Sequence, residues 1–186
     1  MLGRGARRAS RLVALLLFAV MALVAGCTSS ERPRIQPDVV PMPSPLRSFG
    51  ASLSTTVAEI DAAVAAAGER IDLAVSAYRP SEPQSLVQAP RAVLRADLAD
   101  PDDGFVVVYQ AADTGSADAM ATELASYLGS GLGQTNYPAD TRFSVAVVGD
   151  TVVFTNHSAG RSSDPDRAER VFEAVAGVGR SVEVVK

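Results

Sequence analysis

Residues 142–157, RFSVAVVGDTVVFTNH, carry the plainest fold signal in the chain. Phe143, Val145 and Val147 alternate with their neighbours, Gly149-Asp150 interrupts, and Val152-Val153-Phe154 resumes the β-prone run. A period of two places every second side chain on one face of a strand. Gly-Asp between two such runs is the chemistry of a two-residue hairpin turn. The stretch therefore predicts two antiparallel strands, 142–148 and 151–155.

The same reading extends outward in both directions. Upstream, Phe105-Val106-Val107-Val108-Tyr109 is an unbroken β-prone run, the pattern of a central strand covered on both sides. Between it and the hairpin, Met120, Leu124, Tyr127 and Leu128 recur at helical spacing and predict a helix over 116–128. Downstream, Asp164 before Pro165 is a helix start, with Ala168, Val171, Phe172 and Val175 inward and Gly177 as the stop. Residues 181–185 close as a short strand. From 104 onward the order is β-α-β-β-α-β, the split, ferredoxin-like arrangement. Ahead of it, Val57, Ile60, Ala63, Val64 and Ala67 predict a helix over 53–67, ended by Gly68. Alternation at Leu73, Val75 and Ala77 predicts a strand over 72–78. Arg79-Pro80-Ser81-Glu82-Pro83 enforces a loop, and 92–98 alternates as another strand. The expected fold is α+β: a ferredoxin-like core with an extra N-terminal helix and one or two added strands, forming one domain over 51–186. About 135 residues suffice to bury a core. Such an arrangement hosts many unrelated roles and by itself assigns none.

The N-terminus has a different composition. Residues 1–11 hold Arg4, Arg7, Arg8 and Arg11 and no acid, and Leu12–Ala25 follows without a charge. Fourteen helical residues rise about 21 Å, short of the ~30 Å hydrocarbon core. A cationic start, a short apolar middle and small residues at its end make an export signal. Val24-Ala25-Gly26-Cys27 closes it and resembles the lipobox of bacterial lipoproteins. Val24 stands where Leu is commoner in that family. The resemblance covers about the first 27 residues. It implies that residues 1–26 are a signal peptide and that Cys27 becomes the acylated first residue. It also implies lipid anchoring at the cell membrane, on the extracytoplasmic face. Two or more acyl chains, at about 0.8 kcal/mol per buried methylene, hold a protein stably where one does not. Residues 27–50 carry five prolines, Pro33, Pro37, Pro41, Pro43 and Pro45, and read as an extended tether.

Charge and rare residues exclude several functions. Formal charge is −4 over 186 residues, and four of the 17 basic but none of the 21 acidic residues precede Cys27, which leaves −8 after cleavage. An acidic chain without a basic cluster is a poor nucleic-acid binder. One Cys and one His rule out a disulfide framework and multi-His or Cys-rich metal sites, so neither metal nor cofactor is expected. Asp100-Pro101-Asp102-Asp103-Gly104 fails the calcium-loop pattern and reads as a turn. The glycines of 129–133 follow a helix instead of opening one, so they read as a stop and a flexible crossing. Glu59, Asp61, Glu123, Glu169 and Glu173 read as solvated helix surface, and Phe105, Tyr109, Tyr127, Phe143, Phe154 and Phe172 as core. One stretch remains as a candidate site. His157, Arg161, Ser162 and Ser163 lie between a strand end and a helix start, where an anionic group could be held. The expected function is a non-catalytic binding or interaction module for a small molecule or an envelope protein. The alternative is a hydrolase or transferase that uses the 157–163 region.

Overall fold

The computed structural model describes residues 50–74, 78–100 and 103–185. In chain order the elements are α1 (Ala51–Ala66), β1 (Ile71–Leu73), α2 (Gln84–Val87), β2 (Arg91–Ala96), β3 (Phe105–Gln110), α3 (Thr114–Gly129), α4 (Gly131–Gln134), β4 (Arg142–Val148), β5 (Thr151–His157), α5 (Pro165–Ala176) and β6 (Arg180–Val182). The class is α+β. The strands form one antiparallel sheet in the order β1-β2-β3-β5-β4-β6. Its hairpin turns at Gly149, whose φ of +58° is open to glycine at no steric cost, and pairs Val147 with Val152 and Val145 with Phe154.

Two helical layers explain the unbroken apolar runs. Val106, Val108 and Val153 pack with Ile60 and Val64 of α1 and with Val171 and Val175 of α5. Val107, Tyr109, Val152 and Phe154 pack with Ala117, Ala121, Leu124 and Leu128 of α3 on the other side. A strand buried on both faces gains nothing from alternation, so β3 and β5 read as continuous hydrophobic stretches.

The β-α-β-β-α-β element order is present, but the strand order is not that of a ferredoxin-like sheet. There the last strand would lie beside the first of the six elements, here β3. β2 occupies that edge instead, pairing Arg91 with Tyr109 and Arg95 with Phe105, and β6 pairs with β4 through Val145–Val182 and Val147–Arg180. Both extra elements upstream, α1 and the β1–β2 pair, thus change where the chain's end can go.

Smaller departures have local causes. The helix expected from 116 begins at Thr114, because the Asp113 side chain accepts a 2.7 Å hydrogen bond from Ser116 N and caps it. Residues 129–133 include a short helix, α4, capped by Ser130 Oγ on Gly133 N. The strand expected over 72–78 is reduced to Ile71–Leu73, with 75–77 outside the described residues, and the closing strand ends at Val182. The signal, Cys27 and tether assignments also lie outside the described residues. Among those described, no helix is long and apolar enough to cross a membrane.

Candidate ligand cleft

Antiparallel pairing brings four connections to one end of the sheet. β5 runs opposite to β3 and β4, so its exit (156–161) lies beside the entries to β3 (103–105) and β4 (136–141). Residues 78–81 reach the same end, and together these segments line a cleft of about 970 Å³. That volume is at the upper end of the roughly 300–1,000 Å³ range of ligand sites.

Aromatic rings and neutral polar groups make up much of its wall. Tyr78 stacks on Phe105 with ring centroids 4.0 Å apart, and Tyr137 meets Phe143 edge-on at 4.9 Å. Tyr137 Oη accepts a hydrogen bond from Ser81 N at 3.2 Å, Ser81 Oγ lies 2.7 Å from Tyr127 Oη, and Asn136 Nδ2 donates to Ser81 Oγ at 3.0 Å. These bonds tie the 78–81 segment to α3 and to the entry of β4. Burial pushes both the Tyr78 and Tyr137 phenols above their ordinary value, so both remain neutral hydroxyls at physiological pH. On the other side, Asp140 joins two loops: Gly160 N donates to its Oδ2 at 2.9 Å and Ser158 Oγ to its Oδ1 at 2.8 Å. Those donors, Gly160 first, hold the Asp140 carboxyl below the usual carboxylate range.

Behind the cleft the 78–90 segment is pinned by a buried ion pair. Arg91 Nη1 contacts both Glu82 oxygens, Tyr109 Oη donates to Glu82 Oε2 at 2.5 Å, and Arg91 Nη2 donates to the Val87 carbonyl at 2.6 Å. The odd-numbered residues of β2 and β3 share this face, which is why Arg91 and Tyr109, paired in register, meet the same carboxylate.

The four residues singled out from sequence are separated by the pleat. Arg161 is exposed and lines the cleft, as does Ser158. His157, one position after the cleft residue Asn156, projects to the opposite face and is only 3 % exposed. Its Nε2 is 3.1 Å from Glu169 Oε2 and its ring lies against Phe172, both on α5. Ser162 and Ser163 are not part of the lining. Asp164 accepts from Arg167 N at 3.2 Å and caps α5. Glu169 and Glu173 are not free surface acids: both bind Arg142, whose guanidinium sits 4.7 Å over the Phe172 ring. Cleft residues that sequence reasoning missed include Tyr78, Arg79, Ser81, Asp103, Asn136 and Tyr137. Their one available signal was tyrosine inside proline-containing polar connections, Tyr78-Arg79-Pro80 and Asn136-Tyr137-Pro138, where no strand or helix period calls for an aromatic ring.

The arrangement suits holding a molecule better than activating one. Ser158 donates to a carboxylate already stabilised as the anion, a weak base, and Ser81 Oγ is engaged by Tyr127 and Asn136. Among the described residues no group of His, Cys, Asp and Glu is placed to hold a metal ion. Comparison with family models, curated proteins and solved structures finds no match to this chain.

Proposed function

We propose that the chain is a bacterial lipoprotein whose folded domain is a non-catalytic binding module. In this reading residues 1–26 are removed and Cys27 is acylated. The proline-rich 27–50 segment then carries the domain on the extracytoplasmic face of the cell membrane. The ligand, a small molecule or a segment of an envelope protein, occupies the cleft at the β5 exit.

The observation that carries the binding reading is the convergence of four loops on one cleft, with the Ser81 hydroxyl engaged by Tyr127 and Asn136 and the Ser158 hydroxyl by the weakly basic Asp140. The lipobox at Val24-Ala25-Gly26-Cys27 supports the anchoring. The alternative, a hydrolase or transferase using the 157–163 region, is disfavoured because His157 packs against Glu169 and Phe172 of α5, outside the cleft that Arg161 lines.

Two measurements test the reading. Mass spectrometry of the membrane-extracted protein should find a first peptide beginning at diacylglyceryl-Cys27, and Cys27→Ser should lose incorporation of labelled fatty acid. An intact Met1 end, or label retained in Cys27→Ser, overturns the anchoring. Turnover that disappears in His157→Ala while the melting temperature stays unchanged overturns the non-catalytic reading.

A further inference from the structure

The identity of the ligand's chemistry rests on the binding reading above and comes from a census of charge. Nine arginines lie among the described residues. Arg70, Arg91, Arg142, Arg167, Arg170 and Arg180 each pair with a carboxylate. Arg95 donates to the carbonyls of Leu98 and Asp100. The guanidiniums of Arg79 and Arg161 alone have no ion-pair or hydrogen-bond partner among the described residues, and both residues line the cleft. They stand on different loops, one before α2 and one after β5. Among the described residues the other guanidiniums are engaged by carboxylates or carbonyls, and these two share one volume.

Asp100 and Asp103 line the same cleft, and Asp140 lies beside it. Asp140 is already bound by Ser158 and Gly160. Asp103 accepts from Gly104 N through Oδ1 at 2.9 Å, while its Oδ2 is buried without a donor. Asn136, Asn156 and Ser158 add neutral polar groups to the wall. The rings of Tyr78, backed by Phe105, and of Tyr137 offer flat apolar surface to the C–H face of a ring.

We propose that the cleft binds an anionic saccharide: a sugar whose carboxylate or phosphate engages Arg79 and Arg161 and whose ring lies on the tyrosines. Guanidinium forks bind either anion in bidentate fashion, so the two sources share one chemistry.

The test uses the full lipidated chain in detergent micelles, titrated with trigalacturonate, maltotriose, glucose 6-phosphate and glucose, and read by saturation-transfer and chemical-shift NMR. Each anionic sugar should bind at least tenfold more tightly than its uncharged counterpart, with preference between the two anions identifying the group recognised. Arg79→Gln/Arg161→Gln should remove that advantage and leave the melting temperature unchanged, since both side chains are exposed. Equal binding of charged and neutral sugars, or an advantage surviving in the double variant, overturns the proposal. Benzoate and phenyl phosphate are the controls: if they bind in the cleft and no sugar does, the saccharide is wrong and the binding reading stands. Silence of every probe overturns the saccharide proposal.

Discussion

Arg91 Nη1 lies 2.9 and 2.8 Å from the two carboxylate oxygens of Glu82, and both side chains are almost wholly out of water. Tyr109 donates to the same carboxylate, and burial, followed by the Glu82 contact, pushes the phenol above its ordinary value. The pair closes the α3 face of the sheet beneath the connection that supplies Tyr78, Arg79 and Ser81 to the cleft. Removing one partner strands a buried charge, which typically costs more than removing both. Glu82→Gln should therefore lose about 3–5 kcal/mol in urea unfolding. Glu82→Leu/Arg91→Met should lose less than either single change. A double variant as unstable as the two singles added together would show that the two side chains are not coupled and that no stranded charge causes the single-variant losses.

Acid should weaken the domain through Glu69, buried at the end of α1. Burial alone would raise its carboxyl, but hydrogen bonds and charge from Arg167 and Arg170 outweigh it and hold the group below its usual range. A folded-state value below the unfolded one gives stability that is present above the unfolded value of about 4.3 and lost as pH falls through the folded value. Thermal melts should thus be flat near neutrality and drop below about pH 4.5. Glu69→Gln should shallow that drop and cost about 1–2 kcal/mol at pH 7, the partners being half exposed. An unaltered acid slope in that variant would assign the loss to other carboxylates.

The hydroxyls of Thr56 and Thr151 are buried 2.8 Å apart and join α1 to β5. Thr151 donates its proton to the Val148 carbonyl at 2.8 Å, so Thr56 must be the donor within the pair. Thr56→Val takes away a donor and leaves the Val148 bond intact, at about 1 kcal/mol. Thr151→Val strands the Thr56 proton and the Val148 carbonyl together, at about 2–3 kcal/mol. Denaturant unfolding that ranks the two variants the other way would reverse the donor assignment.

Gly104 enters β3 with φ +75°, and a Cβ there would lie 2.8 Å from Leu98 Cδ1 and 3.1 Å from Ala96 Cβ. Gly104→Ala should cost about 1–3 kcal/mol and shift the adjoining Asp103 and Phe105 in the cleft wall. Chemical shifts of Phe105 and Tyr78 matching those of the parent would show that the strand entry yields without moving the cleft.

Legibility in the sequence followed the range of the forces involved. The 142–157 hairpin, the helix start at Asp164-Pro165 and the double-sided burial of 105–109 rest on interactions between residues close in the chain, and each has a periodic or turn-specific signature. Arg161 was reached in the same way, as a charge at a strand exit. The neighbouring His157 was misplaced because a strand sends successive side chains to opposite faces, and only packing against Phe172 and Glu169 selects which face is which. Glu169 and Glu173 looked like surface acids because their partner, Arg142, is 27 residues and more away.

Local sequence determined the antiparallel hairpin, the helix caps, the lipobox-like N-terminus and the acidic charge. Tertiary structure alone decided that β6 takes the edge of β4, that residues 78–81 and 136–137 are tied together through Ser81, and that Arg79 and Arg161 line one cleft with no ion-pair partner among the described residues. Hydrogen-bond periodicity and capping act over a few residues and leave their mark in adjacent letters. Edge choice and charge pairing compare contacts between distant segments, and those energies exist only once the sheet has brought the segments together.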